Sequence, residues 1–500
     1  MIKKVFRKPS FLNPFSGIIL QLFNLISTFI LPKIILSFFG SEVNGLVSSL
    51  CNFLLYISIF EASVSNIVMS YFYKPIKDND IERISKIFNT CDMFYRKITI
   101  LFLCYTVALS IMYPLVFNLN FSFGYVASLT IILSLSYMIQ YSFSNSLRTI
   151  LKADKKVYIV NFTQTLIIAL NLVLAVASVY IYPSIHLLKF ISGILFILQP
   201  IIFSYFVNKK YIIDKKAGID NSLVKSRWDG LSISIASFVH NMTDVAVLTI
   251  FTKLEIVSVY SVYYLVIRGL ESILTSISNG ILPSLGNLYV SNKNDVLLEK
   301  MEAYEMIYSL IIFIVFTAAA ITITPFVLLY TGGISDANYY QPIFGYLIII
   351  GEALFLIKMP HQNMAYAANK YKEMKKFSYI EALINIAVSL LLVKSYGLIG
   401  VAVGTTIAML YRAIAQINFT NQIIKNRNGK KFYFQLLIYS VTSIISFFIC
   451  KHFIAVATNN WVSWIIVLTL SIVVIFFSYF WVTLIFYRKK FKKILLEFIK

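Results

Sequence analysis

The chain has 500 residues, 59% hydrophobic and only 13% charged, with a formal net charge of +22. Soluble globular chains carry about 25% charged residues, so this composition and a mean hydropathy of +0.78 exclude a water-soluble domain. Apolar runs of about 20 residues or more recur along the whole length, each able to cross about 30 Å of hydrocarbon at 1.5 Å per residue, and the even alternation of a membrane β-barrel is absent.

The expected fold is an all-α polytopic membrane protein. Lys3, Lys4, Arg7 and Lys8 precede an apolar run from Phe15 to Phe39. That run is too long for a signal peptide and lacks a small-residue cleavage site, so it reads as a first, uncleaved transmembrane helix. In chain order the expected spans are 15–39, 44–72, 93–117, 123–147, 157–181, 186–208, 229–252, 256–289, 302–330, 341–369, 377–393, 398–424, 432–453 and 461–487, fourteen in all.

Charge orients them. With the N-terminus cytoplasmic, the inner segments hold 34 of the 44 lysines and arginines, while the outer loops hold Lys253, Lys394 and Lys451, with Lys189 just inside a span. Basic residues belong on the cytoplasmic side, so both termini are expected there, in a plasma membrane. The net charge follows topology, which argues against nucleic acid as a partner. The tail FYRKKFKKILLEFIK (486–500) reads as an amphipathic helix on anionic lipid. No loop is long enough for a soluble domain, so the function is expected to lie between the helices.

Cys51, Cys91, Cys104 and Cys450 are scattered without a C-x-x-C pair, and His186, His240, His361 and His452 lie far apart. Neither a disulfide framework nor a metal site is expected.

The two halves resemble each other. At an offset of 213, Phe38 meets Phe251, Glu42 meets Glu255, and Ser65-Asn66 meets Ser278-Asn279. Ala153-Asp154-Lys155 meets Ala368-Asn369-Lys370 at 215, and Asn171 meets Asn385 at 214. Six spans per unit keep the second unit in the same orientation as the first, a parallel repeat. The expected domains are a six-helix lobe over 1–214, a second over 215–428, and two further helices with a basic tail over 429–500. Two such lobes are a transporter plan, with substrate bound near the midplane.

Ionisable groups at membrane depth cost about 2.5–3.5 kcal/mol each at a helix centre and belong beside a cavity or a partner. Nearest the midplane are His240, Arg268, Glu271, Glu352 and Arg412, with Asp244, Lys33, Lys358, His361, Glu61 and Glu381 nearer one face. Arg268, Arg412, Lys358 and Lys33 are the candidate substrate-binding cations. An arginine fork matches phosphate oxygens and keeps its charge when partly desolvated. Arg268 and Glu271 sit one turn apart and otherwise read as a self-neutralising pair; Arg412 otherwise pairs with Glu381 or Glu352, and Lys33 otherwise snorkels. His240 and Asp244, four residues apart, read either as a hydrogen-bonded pair or as a protonatable pair coupling transport to H+ or Na+. Glu381, Asn385 and Ser389 share a helix face, as glue or as cavity lining. Gly400 and Gly404 form G-x-x-x-G, a close-packing face.

The segments FGSEVNGL (39–46), LKADKKVY (151–158), SVYSVYYLV (258–266), LYTGGISDANYYQP (329–342), EALINIAVS (381–389) and YGLIGVAVGTTIAMLYR (396–412) resemble the oligosaccharide-lipid flippases of bacterial polysaccharide biosynthesis, within the multidrug/oligosaccharidyl-lipid/polysaccharide exporter superfamily. The resemblance covers nearly the whole chain. It implies a twelve-helix, two-lobe core with two further helices. It also implies export of a polyprenyl-pyrophosphate-linked oligosaccharide to the outer leaflet of the bacterial cytoplasmic membrane, for lipopolysaccharide or capsule. Neither an enzymatic activity nor a cofactor is implied; membrane lipid and a polysaccharide polymerase are the implied partners. A cation-coupled multidrug exporter of the same fold would favour an acidic residue in the first span, and span 15–39 has none. A membrane glycosyltransferase, polymerase or acyltransferase would favour a sizeable extramembrane loop or a paired acid and base at one membrane face, and neither is present.

Overall fold

A computed structural model describes residues 9–117, 120–220, 223, 242–291, 293–454 and 458–499. Among them every regular element is helical, and eleven helices are long and apolar enough to cross a membrane. The protein is a multi-pass membrane protein. The described chain divides into two compact units, Met1–Phe238 and Val239–Lys500.

The first unit holds α1 (Pro9–Leu54), α2 (Ser58–Asp78), α3 (Ile81–Val116), α4 (Phe123–Ile139), α5 (Asn145–Ala153), α6 (Val157–Ile181), α7 (Ile185–Ile194) and α8 (Leu198–Asn208). As one straight rod at 1.5 Å per residue α1 would run about 70 Å, more than twice the hydrocarbon thickness. It is broken at Gly40, whose φ of 81° and ψ of 177° are not helical and suit only glycine. Ile18, Leu22, Ile26 and Ile30 form an exposed apolar stripe four residues apart on α1, and half-buried Lys33 falls on the same face. The other side of α1 packs on α6. Asn13 clasps the two at one end, donating to the Lys155 carbonyl at 2.9 Å and accepting from the Tyr158 N–H at 2.9 Å.

The second unit holds α9 (Met242–Phe251), followed by α10 (Leu254–Val290), α11 (Asn294–Tyr330), α12 (Pro342–Ile357), α13 (Met359–Ala367), α14 (Tyr371–Ile423), α15 (Gly429–Phe453) and α16 (Trp461–Ile499). Helix α14 is broken at Gly397, with φ 51° and ψ −121°. Its two halves then pack on each other. A Cβ at Gly400 would lie 2.6 Å from the Leu392 carbonyl carbon, and one at Gly404 would lie 2.9 Å from the Ser389 nitrogen. Any side chain there would force the halves apart. Helices α15 and α16 pack on α11 within this unit. Span 229–252 lies mostly outside the described residues.

Helix boundaries recur between the units. Val116 and Tyr330 end α3 and α11, Ala153 and Ala367 end α5 and α13, and Val157 and Tyr371 begin α6 and α14. Each pair is 214 residues apart. Lys155 and Asn369, also 214 apart, both turn the chain through the left-handed region, with φ 60° and 58°. The backbone therefore pairs Lys155 with Asn369, one residue away from the pairing of the Ala-Asp-Lys and Ala-Asn-Lys triplets. The fourth span is interrupted in both units as well, by a π turn at Gln140–Ser144 before α5 and at Lys358 before α13.

Candidate functional site

Helix α10 presents three faces. Ile267, Leu274, Ser278 and Leu285 are buried in the unit. Ser278 fixes this side through the Tyr304 hydroxyl at 2.5 Å and the Asn363 amide at 3.0 Å. Ile273 and Ile277 are exposed and apolar, as lipid requires. Between these, at about 100° per residue, Arg268, Glu271, Ser272, Thr275, Ser276 and Asn279 fall within an arc of about 140°. None of the six is buried. Arg268 and Glu271 form no ion pair with each other, and Arg268 makes no hydrogen bond or ion pair among the described residues. A charged and hydroxyl-rich arc at membrane depth is tolerated where it meets water or a polar ligand. It therefore marks the side of the helix that does not contact hydrocarbon.

Behind this arc lies Glu352 of α12. It is buried, and its Oε1 has no hydrogen-bond partner among the described residues. The charges of Glu271, Lys358 and Arg268 all act on it. Lys358 sits at the break between α12 and α13, 2% exposed. Its ammonium donates to Gln362 Oε1 at 3.1 Å and lies 3.9 Å above the Phe355 ring.

Arg412 and Glu381 face each other across the two halves of α14 as a buried ion pair. Arg412 Nε and both polar atoms of Gln416, one turn on, lack partners among the described residues. Asp244 of α9 is also buried. Its carboxylate accepts from Thr405 Oγ1 at 2.8 Å, from the Tyr260 hydroxyl at 3.2 Å and from the Asn385 amide at 3.4 Å. Asn385 keeps a buried Oδ1 without a partner among the described residues. This oxygen-rich knot suits a proton or a hard monovalent cation. No group of three His, Cys, Asp or Glu side chains among the described residues has metal-ligand spacing. His240 lies outside the described residues.

In the first unit Lys33 is half-buried on α1, between Pro32 and the Gly40 break. Half-buried Glu61 accepts from the Asn145 amide at 3.2 Å.

The fold matches lipid II flippase MurJ in an inward closed conformation with a TM-score of 0.73 at 16% identity, covering 96% of this chain and 99% of that one. It matches an inward-facing multidrug resistance MATE family transporter of the MOP superfamily with a TM-score of 0.64 at 15% identity, covering 82% and 96%. It matches the Vibrio cholerae MATE transporter VcmN in its bent form with a TM-score of 0.54 at 13% identity, covering 83% and 99%. The fold is that of MurJ and the MATE transporters. No family model matches the chain, and no curated protein matches it by sequence.

Coverage divides these relatives. The MurJ match leaves about 4% of the chain uncovered, far less than residues 429–500, so it takes in most of α15 and α16. The MATE matches leave about 17–18% uncovered, enough to omit both helices.

Two charged positions were not singled out from sequence because they read as loop cations. Arg427 lies just beyond α14 and is buried. Its Nε and terminal nitrogen donate to Glu305 Oε1 at 3.0 and 2.6 Å. His361 Nδ1 lies 3.8 Å from the same oxygen and 3.1 Å from Thr420 Oγ1. Arg148 is half-buried on α5. It donates to Gln140 Oε1 at 2.9 Å and to Gln199 Oε1 at 3.2 Å, and Gln199 in turn donates to Gln164 at 2.7 Å. Three glutamines inside apolar spans were the available signal, since such side chains need partners at membrane depth.

Proposed function

We propose that the chain is a flippase that moves a polyprenyl-pyrophosphate-linked oligosaccharide from the inner to the outer leaflet of a bacterial cytoplasmic membrane, for surface polysaccharide biosynthesis, by alternating access of its two lobes. The observation that carries this reading is the unburied polar arc of α10, with Arg268 at its head. A guanidinium without a protein partner is matched to an anionic headgroup, and its planar fork accepts two phosphate oxygens at once. Ser272, Ser276 and Asn279 continue the arc with hydroxyl and amide groups suited to sugar hydroxyls. Likeness in fold to a lipid II flippase over 96% of the chain, most of the last two helices included, supports a lipid-linked substrate over a drug.

Lys358, Arg412 and Lys33 join Arg268 as the cations proposed to serve the headgroup, with Glu271, Glu352, Glu61 and Glu381 balancing their charge. Asp244 and Asn385, with His240, are proposed to couple the cycle to H+ or Na+. A polysaccharide polymerase is the proposed recipient of the product, and both termini are proposed to be cytoplasmic.

The test is surface glycan in a strain lacking its own flippase, with membrane abundance measured alongside. Arg268→Ala should reach normal abundance and lose export, because the exposed side chain makes no hydrogen bond or ion pair among the described residues. Arg268→Lys should lose export in part, since the charge remains and the fork goes. Full export by a normally abundant Arg268→Ala protein would refute the headgroup role.

A further inference from the structure

We propose that the first unit carries a lateral binding site for an anionic phospholipid, separate from the transport path. The site is a cavity of about 650 Å³ between α3, the π turn, α5, α8 and the strap at Ile213 and Lys215. This lies within the usual 300–1,000 Å³ of small-molecule sites and is far more than a bare phosphate fills.

The lining is graded. On α3, Asp92, Arg96, Thr99 and Ile100 fall on one face and descend about 12 Å from the helix's basic end toward its apolar part. The expected spans begin at 93 and end at 147 and 208, so the cavity straddles one membrane surface, the side that the charge bias makes cytoplasmic. The cations Arg96 and Lys215, with Asn208 and Ser146, lie at the water side, and the hydroxyls of Thr99, Ser142 and Ser204 lie deeper, where Thr99 bonds the Tyr95 carbonyl and Ser142 bonds Thr99. Ile100 and Phe143, 64% and 63% exposed, lie toward hydrocarbon. The π turn puts an extra residue into this span beside Phe143 and widens the helix there.

Charge selects the headgroup. Both Asp92 oxygens are occupied, Oδ2 by Arg96 Nε at 2.8 Å and Oδ1 by Ser146 Oγ at 3.1 Å. That contact holds the guanidinium in place and leaves its two terminal nitrogens without partners among the described residues. Lys215 is exposed and likewise makes no hydrogen bond or ion pair among the described residues, so two cations face one neutralised acid. A phosphodiester between them with acyl chains along Ile100 and Phe143 satisfies both halves of the lining, which a soluble phosphate does not.

The experiment is native mass spectrometry of the full chain in detergent with phosphatidylglycerol, phosphatidylcholine or inorganic phosphate added. The wild type should retain one phosphatidylglycerol in preference to phosphatidylcholine, and inorganic phosphate should not displace it. Arg96→Gln should weaken retention about fivefold and Arg96→Gln with Lys215→Gln about thirtyfold, from the usual contribution of one basic residue to anionic lipid binding. Lys97→Gln, exposed beside Arg96 and outside the lining, should change nothing. Undiminished retention by the double variant, no lipid preference in the wild type, or displacement by phosphate would each overturn the proposal. A photoreactive phosphatidylglycerol on the wild-type protein gives an answer that needs no variant to fold: label should map to 142–147 or 204–215, and label confined elsewhere overturns the assignment.

Discussion

The buried pair between Arg412 and Glu381 separates a structural role from a substrate role. Arg412→Ala leaves Glu381, 2% exposed, as an uncompensated carboxylate between the two halves of α14. Breaking a buried pair from one side costs about 3–5 kcal/mol, whereas replacing both partners with apolar groups is often neutral or stabilising by about 1–4 kcal/mol. At about 2–4 °C per kcal/mol for a unit of this size, the single variant should melt about 6–20 °C below wild type. Glu381→Leu with Arg412→Met should recover most or all of that loss, because Arg412 Nε and both polar atoms of Gln416 are already unsatisfied beside it. Fluorescence-detected size exclusion after stepwise heating reads the difference. A single variant melting within about 2 °C of wild type would refute the energetics. Export by the double variant then decides function. If it is stable and exports normally, Arg412 does not bind substrate; if it is stable and inactive, Arg412 stays among the headgroup cations.

Asp244→Asn keeps the shape of the knot with Thr405, Tyr260 and Asn385 and removes its charge, so the protein should fold and its export should lose sensitivity to H+ or Na+ ionophores; retained sensitivity would remove Asp244 from coupling. Asp154, in the turn before α6, is drawn both ways: burial raises its pKa, but bonds from Lys210 at 2.6 Å and Lys156 at 2.9 Å prevail and hold it below the usual carboxylate range. A depressed folded pKa contributes stability above the unfolded value and loses it as pH falls, so wild type should lose its advantage over Asp154→Asn below about pH 4; an advantage unchanged on acidification would contradict this. For topology, a reporter fused after Lys376 should be cytoplasmic and one after Gly333 external, and an external signal at Lys376 would reject fourteen spans.

Much of the helical plan is legible because lipid demands long apolar runs. The breaks at Gly40 and Gly397 fall between separate expected spans, at 39–44 and 393–398, although no loop intervenes in either case; one glycine in a non-helical conformation breaks each helix. Arg427 and Arg148 escaped because charge counting assigns terminal cations to water, and only tertiary packing brings Glu305 or two glutamines to them. Ser278 shows the opposite limit. Its i+1 neighbour Asn279 faces outward while Ser278 anchors the packed side, and a repeat motif alone does not say which is which.

The seam between α11 and the last two helices bears on how such chains change length over evolution. Three polar contacts cross that seam: Trp464 donates to the Thr322 carbonyl at 3.0 Å, Gln435 to Ser309 Oγ at 3.0 Å, and Thr317 to Ser443 Oγ at 2.8 Å. What α11 offers in return is hydroxyls and a backbone carbonyl. Ser309 already bonds the Glu305 carbonyl one turn back, and a threonine such as Thr317 has the same recourse. The apolar part of the seam, Ala318 and Ile321, is as much at home in acyl chains as in protein. A body ending near Asn428 would therefore present lipid with a surface it tolerates, so the last hairpin is a part this chain could lose without redesign of the helix it leaves behind.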